Sequence, residues 1–452
     1  MSVRDLILGN SGSPYYFIGT QYYNGSSTDT NVGNYGQGTA CDFSGNIYVL
    51  STSTMNSSSV SGAVLTKFNQ FGTQQWQKRL SYSAAYPNDT GNVNSIARIR
   101  ISSNSGNIYT LTDDPNANES TVLTKFDSTG AITWQRTLDP GGVGSSHYLG
   151  DLYIDSSENI FVINCFYAYP SPATYFIYKI NSSGTLLNCK EIYTVSGYTQ
   201  PRSASITGDP SGNLYITTTG LNTGDIVLAK VNSSFTLQWQ RNLATSASTV
   251  PGPYPVTYLN GYLYYAVTFF DSGTFRIILV SYDTSGTIQW QKKFNTSSYA
   301  NPDYAIGLTS GNNSIYLCAT SNASNYGVRW FAIDSSGTIT LCRRITGSYA
   351  YSWGANVLAD PTFGLYLTGF GRSATGVYGT VFANVPTDGS KTGTYSGGSL
   401  GTLTYTTDSD TLTTTSFTDS AAGATYLGGS FSIHSYSYSL SSNTFTNTFT
   451  PI

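Results

Sequence analysis

The chain has 452 residues, enough for two or three average domains or for one large repeat protein. Hydrophobic residues make up 39%, so a sizeable core is expected, whereas charged residues make up only 10%, against roughly a quarter in typical soluble domains. A formal net charge of −3 excludes a whole-molecule field that attracts nucleic acid or an anionic membrane surface. No stretch approaches the roughly 18 apolar residues of a membrane span, so membrane insertion is not expected.

The N-terminal stretch, residues 1–33, precedes the first repeated segment. It has no long apolar run followed by a small-residue cleavage site, so no signal peptide is expected. The aromatic-rich SPYYFIGTQYY at residues 13–23 predicts either an anchoring arm or a strand that completes a blade.

Seven copies of one repeat follow over residues 34–397. Each copy has a strand marker of the SGNIYVL type, with its aromatic residue at Tyr48, Tyr109, Phe161, Tyr215, Tyr264, Tyr316 or Tyr366. A second marker, such as DTSGTIQWQKKF at residues 283–294, has a tryptophan at Trp76, Trp134, Trp239 and Trp290, with Asn188 and Leu341 in the same position of two divergent copies. These positions are 51 to 58 residues apart, and the seventh copy has no such marker.

Each copy is predicted to form four short strands, A to D, with tight turns between A and B and between C and D. In the C–D turn, typically DSTG or DSSG, Asp bonds back to the backbone and Gly supplies the positive φ of a hairpin. Four antiparallel strands about every 50 residues are typical of a β-propeller blade, and an open β-solenoid is the competing architecture. We predict an all-β, seven-bladed β-propeller of four-stranded antiparallel blades, with a short N-terminal arm and a β-structured C-terminal tail.

The GN-aromatic strand, the Lys-hydrophobic-Asp strand and the Gly-x-x-x-Trp strand resemble a seven-bladed propeller repeat family of bacterial and viral surface proteins. The resemblance covers about four fifths of the chain, although blades three, six and seven depart from it at the tryptophan. It implies the fold and no catalytic residue. The four tryptophans are therefore predicted to pack between neighbouring blades, and an exposed platform of rings is the alternative.

Basic residues follow each tryptophan position on strand D: Lys78, Arg79, Arg136, Lys190, Arg241, Lys292, Lys293, Arg343 and Arg344. Strand D is expected to be the outermost edge of its blade, where charge blocks pairing with other chains. A binding surface for anionic glycan or nucleic acid is the alternative, which the acidic balance disfavours.

Residue types for catalysis and metal binding are sparse. Each Asp-containing turn offers one carboxylate, far short of the six to eight oxygens of a calcium site. His147 and His434 lie far apart in the sequence and have neither a metal-ligand spacing nor a nucleophile motif beside them. No catalytic residue, metal or cofactor is predicted.

The five cysteines are an odd number scattered over the chain. In the divergent copies, Cys165 and Cys189 fall on strands B and D, as do Cys318 and Cys342. Strand C would keep the members of each pair about 9–10 Å apart, beyond the roughly 7 Å limit for a disulfide. Free thiols are predicted.

The B–C and D–A connections are long, variable and rich in Tyr, Ser, Asn and Gly, which is typical of binding loops on a rigid scaffold. Ordinary solvated loops are the alternative. The candidate binding residues there are Tyr86, Tyr198, Arg202, Tyr254, Tyr299, Tyr304, Tyr349, Tyr351 and Trp353.

The tail, residues 398–452, has no Lys or Arg and alternates in TLTYTT at residues 402–407 and GSFSIHSYSYSL at residues 429–440. This pattern predicts Thr- and Ser-rich strands that close the propeller or contact another subunit.

The leading functional hypothesis is a non-enzymatic virion structural or adhesion protein, since the composition bias also resembles phage tail and fibre proteins. Its expected partners are other virion proteins, a second copy of itself or a host-surface glycan, and its expected location is the virion. One alternative is a bacterial surface or secreted propeller that binds a ligand. Another is a glycan-active lyase or hydrolase, which requires convergent acids or a Tyr–Arg pair at the ring centre on the loop face.

Overall fold

The computed structural model describes residues 7–8, 17–22, 38–55, 60–81, 98–114, 120–138, 146–167, 174–193, 204–219, 226–244, 254–271, 274–295, 303–321, 327–347, 349–360, 364–373, 378–390, 392–396, 402–407, 411–414, 418–421, 432–435 and 441–442. Across these ranges the regular structure is all β-strand, and none of it is a helix that is long and apolar enough to cross a membrane.

The first half of the chain forms two N-terminal strands and then four blades. The N-terminal strands are β1 (Ile7–Leu8) and β2 (Phe17–Tyr22). Blade 1 contains β3 (Gly38–Cys41), β4 (Ile47–Met55), β5 (Val60–Phe68) and β6 (Gln74–Ser81); blade 2 contains β7 (Arg98–Ile101), β8 (Ile108–Asp114), β9 (Ser120–Phe126) and β10 (Ile132–Leu138). Blade 3 contains β11 (Ser146–Ile154), β12 (Ile160–Tyr167), β13 (Thr174–Ile180) and β14 (Leu186–Tyr193); blade 4 contains β15 (Ala204–Gly208), β16 (Leu214–Thr219), β17 (Ile226–Val231) and β18 (Leu237–Ala244).

The second half forms three more blades and the tail strands. Blade 5 contains β19 (Val256–Leu259), β20 (Tyr262–Asp271), β21 (Thr274–Asp283) and β22 (Ile288–Asn295); blade 6 contains β23 (Asp303–Gly311), β24 (Ser314–Ser321), β25 (Gly327–Ile333) and β26 (Ile339–Gly347). Blade 7 contains β27 (Tyr349–Asp360), β28 (Gly364–Ser373) and β29 (Tyr378–Val385). The tail strands are β30 (Gly393–Ser396), β31 (Thr402–Thr407), β32 (Thr411–Thr414), β33 (Thr418–Ala421), β34 (Ser432–Ser435) and β35 (Ser441–Ser442).

Blade 7 takes its fourth strand from the N-terminus. β2 pairs antiparallel with β29, from Phe17 opposite Asn384 to Tyr22 opposite Gly379, and β1 lies outside β2. This pairing explains why the seventh repeat has no tryptophan strand, because its strand D precedes the other three in sequence. The predicted seven-bladed β-propeller with four-stranded antiparallel blades is confirmed.

The chain divides into two compact units, one of residues 1–101, 296–411 and 444–452 and the other of residues 102–295 and 412–443. In each, apolar faces of successive sheets pack together. In the second unit, Tyr109 and Leu123 of blade 2 share a core with Val162 and Tyr178 of blade 3. In the first unit, Trp330 of blade 6 shares a core with residues of blade 7. Alternation along each strand supplies these faces, because neighbouring side chains point to opposite sides of a sheet.

Tail strands lie outside strand D in five blades. β31 pairs with β26 in blade 6, β32 with β22 in blade 5, β33 with β18 in blade 4, β34 with β14 in blade 3 and β35 with β10 in blade 2. The expectation that strand D is the outermost edge is therefore wrong for these blades. The basic residues on their D strands do not guard an open edge, and their contacts give them another role.

Candidate ligand-binding site

Carboxylates of the A–B turns are bound by their own turns. In blade 4, Asp209 Oδ1 accepts hydrogen bonds from the backbone N–H groups of Ser211 and Asn213, each at 2.9 Å. Its Oδ2 accepts bonds from Asn213 Nδ2 and the Tyr215 hydroxyl, each at 2.8 Å. Burial raises the pKa of Asp209, but these hydrogen bonds outweigh it and lower the pKa overall. The hydrogen-bonding capacity of such a carboxylate is therefore used within its own turn. Within the described ranges no three His, Cys, Asp or Glu side chains form a metal-binding group.

The tryptophan strand of one blade bonds to the C–D turn of the next. Trp134 Nε1 and Lys125 Nζ both donate to the Ser182 carbonyl, at 3.0 and 2.9 Å. Arg136 Nε donates to the Gly184 carbonyl at 2.8 Å. We call this set of donors and carbonyls the inter-blade clasp. It joins blade 2 to blade 3 through neutral acceptors, so the positive charges serve packing between blades.

The clasp recurs. From blade 4, Lys230 Nζ and Trp239 Nε1 donate to the Thr284 carbonyl of blade 5, each at 3.0 Å. From blade 6, Arg343 Nε donates to the Gly389 carbonyl after blade 7 at 2.7 Å. The repeated KF…WQR pattern is thereby explained as inter-blade contact.

The five cysteines form no disulfide, and two of them have thiols unsuited to nucleophilic attack. Cys165, Cys189, Cys318 and Cys342 are buried, and Cys41 is half-buried. Burial alone raises the pKa of Cys318 to about 12, and burial also raises the pKa of Cys165 well above its usual value. At neutral pH both remain protonated, and the thiolate is the reactive form.

The predicted binding residues fall into three groups. Tyr86, Tyr198, Arg202 and Tyr299 lie outside the described residues. Tyr254 is described and is a correction to the expectation of a surface contact. It is 1% exposed, it belongs to the core shared by blades 4 and 5, and its carbonyl accepts a bond from Thr217 Oγ1 at 2.6 Å.

The third group lies on strands rather than loops: Tyr304 on β23, and Tyr349, Tyr351 and Trp353 on β27. These two strands are the first strands of blades 6 and 7 and lie side by side. A Cβ added to Gly307 would be 2.8 Å from the backbone nitrogen of Val357, and one added to Gly311 would be 2.9 Å from Ala359 Cβ. Gly307 and Gly311 of β23 thus lie near Val357 and Ala359 of β27 in the same chain order, so the two strands run in the same direction.

Each of these strands has a β-bulge at the same level. The β23–β24 register shifts between Ala305 and Gly307, and the β27–β28 register shifts between Gly354 and Asn356. Asn356 Oδ1 accepts a bond from the backbone N–H of Val357 at 2.9 Å, which fixes the backbone there. Bulges are common beside active sites, where they redirect the residues that follow or precede them.

We define the β23/β27 site as residues 303–306, 349–354 and 370–372. All three segments lie at the loop end of their blades. The first two extend from the bulges toward that end, and the β27–β28 register shifts again between Tyr349 and Tyr351. In the β27–β28 register, Trp353 is opposite Phe370 and Tyr351 is opposite Arg372. In β23, Asp303 and Tyr304 are opposite Ser321 and Thr320.

Sequence reasoning singled out Tyr304, Tyr351 and Trp353 but missed Asp303 and Arg372. For β27, the missed signal is that YAYSW at residues 349–353 has aromatic residues at alternate positions, a pattern that predicts a strand and not a loop. Arg372 becomes a candidate only through the register of β28.

Blade 3 has an equivalent bulge. The β11–β12 register shifts between Tyr148 and Asp151, and a Cβ on Gly150 would overlap the Ile163 carbonyl. Asp151 Oδ1 accepts a bond from the Leu152 N–H at 2.9 Å, as Asn356 does in blade 7. His147, expected to have no chemical role, lies just beyond this bulge, opposite Phe166.

No protein-family model matches the sequence, and no curated protein matches it. The chain is similar in fold to solved β-propeller structures. These include the polysaccharide lyase Uly1, with 11% identity over 82% of this chain and 93% of that one and a TM-score of 0.46. They also include the periplasmic gluconolactonase PpgL of Pseudomonas aeruginosa, with 13% identity over 72% and 94% and a TM-score of 0.45. A third is the NanB sialidase of Streptococcus pneumoniae, with 10% identity over 81% and 70% and a TM-score of 0.43.

These comparisons correct the functional expectation. The prediction of a virion structural or adhesion protein is wrong, because the similar structures are a polysaccharide lyase, sialidases and a lactonase rather than virion proteins. The similar structures include a lyase, sialidases and a lactonase, and at this identity they show the shared fold alone, so the prediction that the chain is not an enzyme gains no support from them. The repeat-family resemblance is confirmed in its fold alone, and its phage component is not supported.

Proposed function

We propose that the chain is a surface or secreted β-propeller binding protein whose ligand is a glycan, held at the β23/β27 site. One observation carries this proposal. Two adjacent first strands continue past matched bulges and place Tyr304, Tyr351 and Trp353 at one end of blades 6 and 7.

The residue types suit a sugar. A pyranose has faces of C–H bonds that pack against an aromatic ring and a rim of hydroxyl groups that need hydrogen-bond partners. Tyrosine and tryptophan supply both an apolar ring and a polar edge. Asp303 and Arg372 belong to the same strand segments. A carboxylate is a charged acceptor and a guanidinium a planar donor, and a few polar residues among aromatic ones are typical of ligand sites.

The charge balance favours short-range recognition. With 10% charged residues and a net charge of −3, the chain has no long-range field to concentrate a polyanion. Stacking and hydrogen bonds at the site therefore set the specificity.

The test is binding of the purified full chain to a glycan array, followed by titration of the best glycan with wild type and two variants. Trp353→Ala is expected to weaken binding about tenfold, since it removes a stacking ring. Tyr262→Ala is the matched control, because Tyr262 is a 40% exposed aromatic residue beside the A–B turn of blade 5. No glycan bound by wild type, or equal affinities for wild type and Trp353→Ala, would overturn the proposal.

A glycan-active lyase is the second candidate, and the register of Tyr351 opposite Arg372 favours it. A tyrosine hydroxyl can move a proton, and an arginine can stabilise the negative charge that develops on a uronate carboxylate. In a lyase, a base removes the C5 proton, that electron pair forms a C4=C5 double bond, and the C4–O bond breaks, with the leaving oxygen taking up a proton to become a hydroxyl group.

Tyr351→Phe separates the two candidates. It keeps the ring and removes the hydroxyl. Under the lyase candidate, wild type produces unsaturated sugar from a uronate-containing glycan, Tyr351→Phe loses at least about 100-fold in turnover, and the affinity is unchanged. If wild type forms no product from a glycan that it binds, the chain is a binding protein and the lyase candidate fails.

A further inference from the structure

The tail strands follow a fixed order. From β31 to β35, successive strands pair with blades 6, 5, 4, 3 and 2, so the tail visits the blades in reverse chain order. The connections between them are residues 408–410, 415–417, 422–431 and 436–440. Each tail strand completes the outer edge of one blade.

The register of this pairing is constant in the four blades where it is defined residue by residue. The last residue of the tail strand lies opposite the residue two places after the tryptophan position: Thr407 opposite Arg343, Ala421 opposite Arg241, Ser435 opposite Lys190 and Ser442 opposite Arg136. The D strands therefore share one docking position on their C-terminal halves.

Blade 1 is the next blade in this order, and its sheet differs. Its strand order is β3-β4-β5-β6, so among the described strands β5 is the one that pairs with β6. The other side of β6 carries backbone N–H and C=O groups at a sheet edge, which is a template for one more strand.

The segment after β35 is suited to that edge. Residues 443–452 read NTFTNTFTPI, with Thr alternating with Phe or Asn, which is typical of a strand. The shortest tail connections have three residues, at 408–410 and 415–417. A connection of similar length after Ser442 brings the chain to residues 446–450. Pro451 follows, and proline ends ladder pairing because it has no N–H group.

We infer that residues 446–450 form a sixth outer strand, antiparallel to the C-terminal half of β6, and so close the outer edge of blade 1. The docking position on β6 is Lys78 to Ser81, which corresponds to the paired residues of the other blades. The occupant is this chain's own segment, because its order, spacing and alternation continue the series of the five outer strands.

Hydrogen exchange by mass spectrometry tests this inference on the full chain. The reporter is the peptide containing β6, residues 74–81, and the control reporter contains β10, residues 132–138, which pairs with β35. The variants are a chain ending at Asn443 and the full-length Thr448→Pro. Asn443→Pro is the matched substitution in the connection.

We expect the outward amides of β6 to exchange about tenfold faster in the shortened chain and in Thr448→Pro than in wild type, with β10 unchanged in all variants. Asn443→Pro is expected to match wild type. A β6 peptide that exchanges equally fast in wild type and the shortened chain would overturn the inference.

A second copy is the competing occupant. Exchange is therefore repeated at a tenfold lower protein concentration, with the mass in solution measured by light scattering. Protection of β6 that persists in a monomer supports pairing within the chain. Protection that disappears on dilution, together with a dimer at high concentration, would assign the strand to a second copy and overturn the inference.

Discussion

Glu158 of blade 3 accepts a hydrogen bond at 2.7 Å from the hydroxyl of Tyr109 in blade 2. The same carboxylate oxygen accepts bonds from Asn107 Nδ2 at 2.8 Å and Ser105 Oγ at 2.7 Å. Blades 1 and 4 satisfy the equivalent tyrosine internally, since Tyr48 donates to Asp42 and Tyr215 donates to Asp209. Blade 2 has Ser102 in the place of that aspartate, so the neighbouring blade supplies the missing carboxylate.

Glu158 adopts an unfavourable backbone conformation in this position. Glu158 has φ of 59°, in a turn position where blades 1 and 4 have Gly45 and Gly212. A left-handed conformation costs a residue other than glycine about 1–3 kcal/mol. The three hydrogen bonds and the nearby Lys125 ammonium, 3.7 Å away, offset that cost. Glu158 of blade 3 thus compensates for the carboxylate that blade 2 lacks at Ser102.

A double-mutant cycle tests the pairing of Ser102 with Glu158. Glu158→Gly is expected to destabilise by about 1–2 kcal/mol, because the lost bonds outweigh the relieved strain. Ser102→Asp in the same chain restores a local acceptor, with a coupling energy of about 1–3 kcal/mol. Urea unfolding measures both. Ser103→Asp, one residue along the turn, is the control and should not rescue Glu158→Gly; equal rescue by both would contradict the pairing.

Stability should also depend on pH through Glu158. Burial raises its pKa, but the hydrogen bonds from Asn107, Tyr109 and Ser105 and the charge of Lys125 outweigh burial and lower the pKa below its usual 4.5. A folded-state pKa below the unfolded value means that the stabilisation is present above pH 4.5 and is lost as the pH falls through the folded pKa. Wild type should exceed Glu158→Gln in stability near neutral pH, and the two should converge in acid. A gap that stays constant with pH would exclude this titration.

Comparing alanine substitutions at Gly184 and Gly212 separates the free-energy cost of backbone strain from that of a steric clash. Both have φ of +81°, but a Cβ on Gly184 would lie 2.9 Å from the Trp134 ring, whereas the nearest atom to a Cβ on Gly212 is 4.0 Å away. Gly212→Ala should cost about 1–2 kcal/mol from conformation alone. Gly184→Ala should cost at least about 1 kcal/mol more, because the ring must move. Thermal unfolding of the two variants checks this, and equal losses would show that Trp134 does not restrict the turn.

Arg136 should stabilise the protein in a way that salt hardly changes. It donates from Nε to the Gly184 carbonyl and from Nη1 to the Gln135 carbonyl, at 2.8 and 2.7 Å. Arg136→Lys loses the fixed fork of donors and should cost about 1–2 kcal/mol. Since both acceptors are neutral, the loss should be similar at 0.05 and about 0.5 M salt. A loss that vanishes at high salt would indicate an ionic contact in place of the clasp.

Sequence periodicity was enough for the blade plan, as the DSTG turns and the GN-aromatic strands show. Each of these signals is local, since the Asx turn and the following alternation involve residues within about ten positions of one another. The role of Arg136 was predicted wrongly because its contact is not local in the sequence. Its partner, Gly184, lies 48 residues away and is defined only once two blades pack. Arg372 was missed because only the β27–β28 register places it opposite Tyr351.

By itself the sequence determined the fold class, the number of blades, the tight turns and the separation of the cysteines that prevents disulfides, because alternation, turn chemistry and repeat spacing are properties of neighbouring residues. Only the tertiary structure decided that β2 completes blade 7, that tail strands cover five D strands and that Glu158 serves the turn of blade 2. These pairings join segments far apart in the chain, and many strands of similar Thr-rich pattern compete for each edge. The choice among them is made by register and packing.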